Sequence, residues 1–513
     1  MSAREIPSDA KFSASAALLP AVICFLITLF LGGWKNDFPF YYHVDEPGKA
    51  RQILTEERNL HHPLLMLTTT ETIVRVAGIP PNPQIITQTG RWVSATFNAL
   101  AVGLLAWTVA QALGTFTGWI AGLIAATHWN IFELSHYFKE DPSLAFGIMT
   151  AIAAVAWWRR SQGLASALGL GAALALALSG KYFGVIALLL LPLVWWQYPP
   201  AKGRRISSAL AILGAFAGVF SLINWGLLTQ PDVLQASLEK ETTGVLQGGQ
   251  VATHSFFHVG FFKRFYQVAR VAALPGLVFF LIFSVRKLRR LPLEMLALVI
   301  LPFFLAIILG FSQKDSGRYF LPGVFGVCAV AALGWHDWLQ WARLQKHVWV
   351  KALTVIAALV TIGGAADRLM DYVHGFGEGS REMLSLWIKE NLPADAVIAQ
   401  TETTKLSDPT LVERGSLPSM FPQKLVTIDD LPEDFTLDQL RAKGVTHLAA
   451  TEPEWHLFLK GGKVREKAKD KFTKSREFWQ SVQKQTKIVW ECDAGKVGTH
   501  NPPMRLWELN SPK

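Results

Sequence analysis

Cysteine is nearly missing from this chain: three occur in 513 residues. Cys24 and Cys328 lie inside apolar runs and Cys492 stands alone in a polar region, which excludes a disulfide framework. Charge is scarce as well, at 17% of residues. Beyond about Asp371 no apolar run is long enough to span a bilayer. That polar C-terminal region has no Gly-rich phosphate loop, no zinc-ligand spacing and no nucleophile elbow, so nothing in it points to nucleotide, zinc or serine-hydrolase chemistry. Neither an internal repeat nor a low-complexity tract is visible along the chain.

What is present is apolar and periodic in length. Hydrophobic residues make up 51% of the chain and gather in runs near the ~20 residues that cross a membrane. The runs are Ala14–Trp34, Trp92–Ala112, Phe116–Phe132, Pro142–Trp158, Ala165–Ser179, Phe183–Trp196, Ile206–Leu227, Val271–Val285, Leu291–Phe311, Leu321–Trp338 and Val348–Ala365. They predict a polytopic α-helical membrane protein of about eleven transmembrane helices. The first run lacks a small-residue cleavage site and reads as an uncleaved anchor.

The net charge of +10 does not indicate nucleic acid. Basic residues cluster between runs, at Arg159-Arg160, Lys202 with Arg204-Arg205, Arg286 to Arg290, and Arg343 to Lys346. A cytoplasmic N-terminus puts all four clusters inside, as the positive-inside bias requires. The same count places outside the loop after the first run, the Ser135–Asp141 connection, the Thr229–Arg270 loop, the Ser312–Tyr319 connection and the polar C-terminal region. The expected organisation is a cytoplasmic segment 1–13, a membrane domain 14–368 with a first outer loop 35–91, and a soluble domain 369–513. In that last domain Gly379–Asn391 and Asp430–Lys443 carry helical patterns, and the charged run Val464–Lys484 reads as a long surface helix. Ala396–Ala399, Val445–Ala450, Lys487–Cys492 and Arg505–Leu509 read as strands, which together predict a small α/β domain.

Candidate chemistry gathers in the outer loops. Asp45-Glu46 follows the first run, where carboxylates beside a membrane are costly to keep. Asp45-Glu46-Pro47 fits a general base and fits equally an acidic helix start with Pro in the first turn. Asp141 poses the same pair of readings, with His136, Tyr137 and Lys139 beside it and Pro142 after it. His61 and His62 could contact an acceptor or ligate a metal, although adjacent histidines point in different directions. His254 and His258, four apart, are candidate metal ligands or solvated loop residues, so divalent-metal dependence stays open. Lys181, Lys314, Arg318 and Tyr319 suit either a phosphate clamp or a snorkelling interfacial anchor.

Taken in order, these motifs resemble the polyprenyl-phosphate-sugar-dependent glycosyltransferases of the GT-C fold, above all the protein O-mannosyltransferase and aminoarabinose transferase groups. Asp45-Glu46 is similar to their first-loop acidic motif and His62-Pro63 to the His-Pro-Pro that follows, although Leu64 replaces the second Pro. His136 to Asp141 resembles their second acidic loop, Lys181-Tyr182 the Lys between the fifth and sixth helices, and Arg318-Tyr319 the Arg-Tyr opening a late helix. The resemblance implies an inverting transfer of one sugar from a polyprenyl-phosphate carrier to a protein, lipid or glycan outside the cytoplasm. It implies Asp45 as base, with Glu46 and Asp141 in the catalytic cluster. It also implies Lys181 and Arg318, joined by Lys139 and Tyr319, at the donor phosphate. The expected location is a bacterial inner or plasma membrane, with the active site and the soluble domain facing outward. The competing classes are a multi-pass transporter or flippase of lipid-linked sugar, and a non-catalytic member that binds it. Charges gathered at one face, without a repeat, favour the enzyme over the transporter.

Overall fold

In the computed structural model the described residues are 14–247, 273–312, 317–377, 379–401, 404–406, 423–428, 435–460, 464, 469–493, 497 and 500–509. The chain forms two compact units. One holds the chain up to Asn36, Lys49–Leu246 and the run that ends at Leu369. The other holds Asp37–Gly48 and the chain from Met370 onward.

The membrane unit is helical because its apolar runs can satisfy their backbone hydrogen bonds in hydrocarbon only within themselves. Along the chain to Gly377, with residues 46–48 and 370–377 belonging to the other unit, come α1 (Ala14–Gly33), α2 (Glu46–Thr55), α3 (Leu65–Val76), α4 (Pro83–Leu113), α5 (Thr115–Ala126), α6 (Trp129–Ser135), α7 (Asp141–Ser161) and α8 (Leu164–Gly180). There follow α9 (Leu190–Gln197), α10 (Arg205–Ile223), α11 (Trp225–Thr229), α12 (Pro231–Gln247), α13 (Leu274–Phe279), α14 (Leu293–Gly310), α15 (Leu321–Arg343) and α16 (Val348–Gly377). Among the described residues, 7 helices are long and apolar enough to cross a membrane. Shorter apolar helices occupy Thr115–Ala126, Leu164–Gly180 and Tyr182–Gln197, and the remaining expected run appears as α13 continued by a π-turn at Phe280–Ser284.

Three runs depart from their expected form. α4 starts at Pro83, not Trp92, because Asn82 caps it by accepting from the N–H groups of Gln84 and Ile85, and Pro83 suits a first turn. Its polar first turns hide Arg91, fully buried and donating to the Asn36 carbonyl at 2.8 Å. The run Phe116–Phe132 breaks at Thr127-His128 into α5 and α6, the second started by the His128 side chain. Ile206–Leu227 breaks at Asn224, whose amide accepts from the Leu64 N–H at 2.8 Å and donates to Ser179 at 2.6 Å.

The soluble unit contains α17 (Ser380–Asn391), β1 (Val397–Thr401), β2 (Lys424–Ile428), α18 (Leu437–Ala442), β3 (His447–Thr451), α19 (Glu452–Lys460), α20 (Lys469–Gln485), β4 (Lys487–Cys492) and β5 (Met504–Glu508). The sheet order is β2-β1-β3-β5-β4, with β1 parallel to β2 and β3 and β5 antiparallel to β3 and β4. The α/β expectation holds, while β2 and α19 were not legible as separate elements. The charged stretch expected on the surface is in fact amphipathic: α20 buries Phe472, Phe478, Trp479 and Val482. Trp479 packs at 5.8 Å on Trp507 of β5, and buried side chains of that size dominate the stability of so small a core.

Candidate active site

α7 and α8 meet through small residues. A Cβ on Gly147 would come within 2.4 Å of Ala177 Cα, and one on Gly180 within 2.7 Å of the Leu144 nitrogen, so only glycine allows this approach. Ser143 reinforces it by donating to the Gly180 carbonyl at 3.2 Å. The close packing brings the end of α8 beside the start of α7. Lys181, extended just past α8, thereby reaches Asp141 with Nζ–Oδ1 of 2.8 Å. Asp141 lies in the first turn of α7, where a carboxylate also meets the positive end of the helix dipole.

A second pair stands next to the first. Lys49 of α2 donates to Glu140, and both side chains are buried. The Lys49 ammonium also lies 5.9 Å from the Phe138 ring, which packs over Gly90. Lys139, between the two acids' backbone and Phe138, is 2% exposed. Burial, then the nearby Arg318 cation, pulls its ammonium down to about 7, against the pull of Glu140 and Asp141. Burial would raise the Glu140 carboxyl, but Lys49, His62 and Lys139 outweigh it and hold the group below the usual carboxylate range. The Lys181 ammonium lies 4.7 Å from the centre of the Tyr319 ring and Arg318 lies 5.5 Å from it, so one aromatic ring joins two cations.

Of the sequence-derived residues, Lys139, Asp141, Lys181, Arg318 and Tyr319 therefore come together in the membrane unit, with His62 at their edge. Burial, opposed by Glu140 and assisted by Lys181 and Lys49, lowers the His62 imidazole to about 4. His61 lies beside it, with its backbone N–H on Asn59 Oδ1 at 3.2 Å. The loop carrying both is tied down by Tyr182, whose hydroxyl donates to the Leu60 carbonyl at 2.8 Å. His136 has a local partner on each ring nitrogen, the Phe132 carbonyl at 2.7 Å and the Trp34 carbonyl at 2.6 Å. Its burial lowers the imidazole to about 4, although two carbonyls by themselves favour the charged ring. His136 thus fastens the end of α1 to α6, and Tyr137 beside it is buried.

Asp45 and Glu46 belong to the soluble unit. Asp45 immediately precedes α2 and is half-buried, and its N–H donates to His43 Nδ1 at 3.2 Å. Its position suits a helix cap, and its partial exposure suits a base that must reach an acceptor. Glu46 is fully buried. Lys314, His254 and His258 lie outside the described residues. Among the described residues no group of three or more His, Cys, Asp or Glu could hold a metal ion.

Lys49 and Glu140 were missed from sequence. Lys49 reads as an ordinary helix-surface lysine, and Glu140 as the flank of Asp141. The one available signal was the spacing of Lys49 four residues after Asp45, which puts it on the loop that also carries the acidic pair.

Residues 20–237 match the family model of dolichyl-phosphate-mannose-protein mannosyltransferases. No curated protein sequence matches the chain. Among solved structures, ArnT of Cupriavidus metallidurans in its apo state is 12% identical, with a TM-score of 0.51 over 96% of this chain and 99% of that one. The oligosaccharyltransferase AglB of Archaeoglobus fulgidus, in complex with an inhibitory peptide and a dolichol-phosphate, is 11% identical. Its TM-score is 0.52 over 93% of this chain and 73% of that one. The fold is that of the GT-C glycosyltransferases, membrane enzymes that take sugar from a lipid-linked donor, as the motifs had implied.

Proposed function

We propose that this glycosyltransferase moves a single sugar from a polyprenyl-phosphate carrier to an acceptor outside the cytoplasm, with inversion at the anomeric carbon. The observation that carries the proposal is the charge balance at the head of α7. Lys49, Lys139, Lys181 and Arg318 gather around Glu140 and Asp141, and so many cations in one water-poor place attract an incoming anion. A phosphate diester supplies that charge. The family model of the dolichyl-phosphate-mannose enzymes, matched over the segment containing Asp45, Asp141 and Lys181, supports the same donor class.

In this mechanism Asp45 takes the proton of the acceptor hydroxyl, whose oxygen attacks the anomeric carbon from the face opposite the phosphate. The bond from that carbon to the phosphate oxygen breaks, and the electron pair leaves on the polyprenyl phosphate. Lys181 and Arg318 stabilise the charge that grows on the leaving phosphate, while Asp141 holds Lys181 in place. Lys139 and Tyr319 complete the phosphate pocket, and His61 and His62 line the loop where the sugar or the acceptor is received. Glu46, fully buried, keeps the acidic turn in shape. The protein functions in a bacterial plasma membrane with this site and the soluble unit outside, because only that parity puts the basic clusters within.

The test is the purified full-length protein in detergent, supplied with a panel of radiolabelled polyprenyl-phosphate sugars and an extract of envelope acceptors. Label should pass to an acceptor as free polyprenyl phosphate accumulates in equal amount. Lipid-linked sugar that crosses proteoliposomes intact, without transfer, would establish the transporter instead. A cysteine introduced at the exposed Lys474 should be labelled in intact cells. Labelling only after permeabilisation would reverse the orientation.

A further inference from the structure

The acidic pair sits on a segment, Asp37–Gly48, that packs with the soluble unit. Its aromatic side chains account for this. Phe38, Phe40, Tyr41 and Tyr42 are all buried. Phe38 meets His500 with ring centroids 4.3 Å apart and Phe376 at 5.9 Å, and Phe376 stacks on His500 at 5.0 Å. Tyr42 lies 5.8 Å from His500 and carries the Arg381 guanidinium over its face at 4.7 Å.

Arg381 has little freedom of its own. It is 3% exposed, its Nε donates to the Thr404 carbonyl and its Nη1 to the His500 carbonyl, both at 2.8 Å. The neighbouring backbone is fixed in turn. The Ser380 N–H donates to Asn501 Oδ1 and its hydroxyl to the Pro502 carbonyl, each at 2.7 Å. A buried guanidinium is costly to keep, and a simple apolar contact would cover the Tyr42 ring more cheaply.

From Tyr42 the constraint runs directly to the acid. The Tyr42 N–H donates to the Pro39 carbonyl and the Glu46 N–H to the His43 carbonyl, each at 3.2 Å. Together with the bond from the Asp45 N–H to His43 Nδ1, these make two successive turns, 39–42 and 43–46, joined through the Tyr42–His43 peptide, that lead from the clamped ring to the start of α2. We infer that the soluble domain positions the acidic motif: Arg381, His500 and Phe376 grip Phe38 and Tyr42 and thereby set the carboxylate of Asp45. The inference rests on the assignment of Asp45 as base made above. It gives the soluble domain a part in the reaction without any contact to substrate. A displacement of a reacting group by about 1 Å can cost about 100-fold in rate, so a clamp of this kind acts on turnover more than on donor binding.

The full-length protein tests it with two readouts, transfer kinetics and amide hydrogen exchange over residues 37–48. Tyr42→Phe keeps the ring under Arg381 and should stay within about 2-fold of wild type. Tyr42→Ala should lower kcat about 10–100-fold with the donor KM unchanged, and should speed exchange across the acidic turn. Arg381→Lys cannot hold two carbonyls and cover the ring together, and should lower kcat about 10-fold with the same faster exchange. In an Asp45→Asn background Tyr42→Ala should cost nothing more, because the group it positions is already gone. If Tyr42→Ala does not fold, Tyr42→Leu carries the same expectation. Faster exchange with normal kcat, or slow turnover with unchanged exchange, overturns the clamp. An inactive Asp45→Asn beside a normal Tyr42→Ala overturns the clamp and spares the base, whereas an active Asp45→Asn overturns the base and with it the clamp's target.

Discussion

The two ends of α7 hold buried charge in different ways. At the C-terminal end Arg159 donates twice to one oxygen of Glu294 on α14, at 2.9 and 2.7 Å, and Glu294 is fully buried. Arg160 is within electrostatic reach of the same carboxylate and donates to the Gln111 carbonyl, and the result is a latch between helices. At the N-terminal end Asp141 meets Lys181 just as closely, but Lys49, Lys139 and Arg318 crowd the same region with Glu140 as the further acid. Two ion pairs, Asp141–Lys181 and Glu140–Lys49, stand side by side at one end with Lys139 and Arg318 near them, while the Arg159–Glu294 pair bridges two helices at the other, ~30 Å away. A buried ion pair is therefore more informative about function where several titratable groups cluster with it, and mainly about architecture where it ties one helix to the next.

Substitutions at four positions distinguish the two ends. Asp45→Asn, which removes the base that the cation-rich end would serve, should lower transfer about 10²–10⁴-fold while donor binding persists. Donor-saturated assays above about a tenth of the wild-type rate would make Asp45 a helix cap. Arg159→Ala should strip Glu294 of its hydrogen-bonded partner, with Arg160 offsetting only part of the loss, which costs up to about 3–5 kcal/mol of stability. Denaturation in detergent should register that loss, and the donor KM of the protein that survives should be unchanged.

Arg318 should behave in the opposite sense. Arg318→Ala should raise the donor KM about 10–100-fold with little change in unfolding, since a hydrogen bond to a charged group is typically worth about 1.5–3 kcal/mol. Arg318→Lys should recover only part of this, because an ammonium lacks the planar fork. Equal and mild effects of the Lys substitution at Arg318 and at the basic-cluster residue Arg343 would make Arg318 a membrane anchor. The smallest effect is in pH. The Lys139 ammonium sits near 7 without donor, and an anionic donor binds its protonated form more tightly. Donor affinity should then be greatest below pH ~7 and weaken as pH rises through it, by at most about tenfold per unit. Lys139→Gln should flatten the slope in a titration of donor KM.

Much of this architecture was legible in the amino-acid order. The apolar runs marked where the membrane helices lie, because spanning is a property of a contiguous segment, although α4 begins at Pro83 rather than Trp92 and α16 runs on to Gly377. Where the reading slipped, polar residues were buried by partners far along the chain. Arg91 was counted as loop until its bond to the Asn36 carbonyl placed it inside α4, and Asn224 ended a helix by bonding to Leu64 and Ser179. α20 read as a surface helix because its charges outnumber its apolar positions, yet those positions share one face and cover the sheet. At the site, Asp141, Lys181 and Arg318 were each visible as a charge beside a membrane run. That Lys49 and Glu140 join them was not, since they lie 91 residues apart and neither is unusual in its own neighbourhood.

The sequence by itself determined what depends on local sums: a helical membrane unit, a soluble α/β unit after it, and charged turns between apolar runs. Tertiary structure decided which of those charges meet. Glycine at 147 and 180 lets α7 and α8 approach until Lys181 reaches Asp141, forty residues away. Buried rings at 38 and 42 tie the acidic turn to Arg381 and His500. Hydropathy is fixed one segment at a time. The pairing of charges is settled only when helices pack, because a Coulomb interaction depends on separation in space and on the exclusion of water from between the partners.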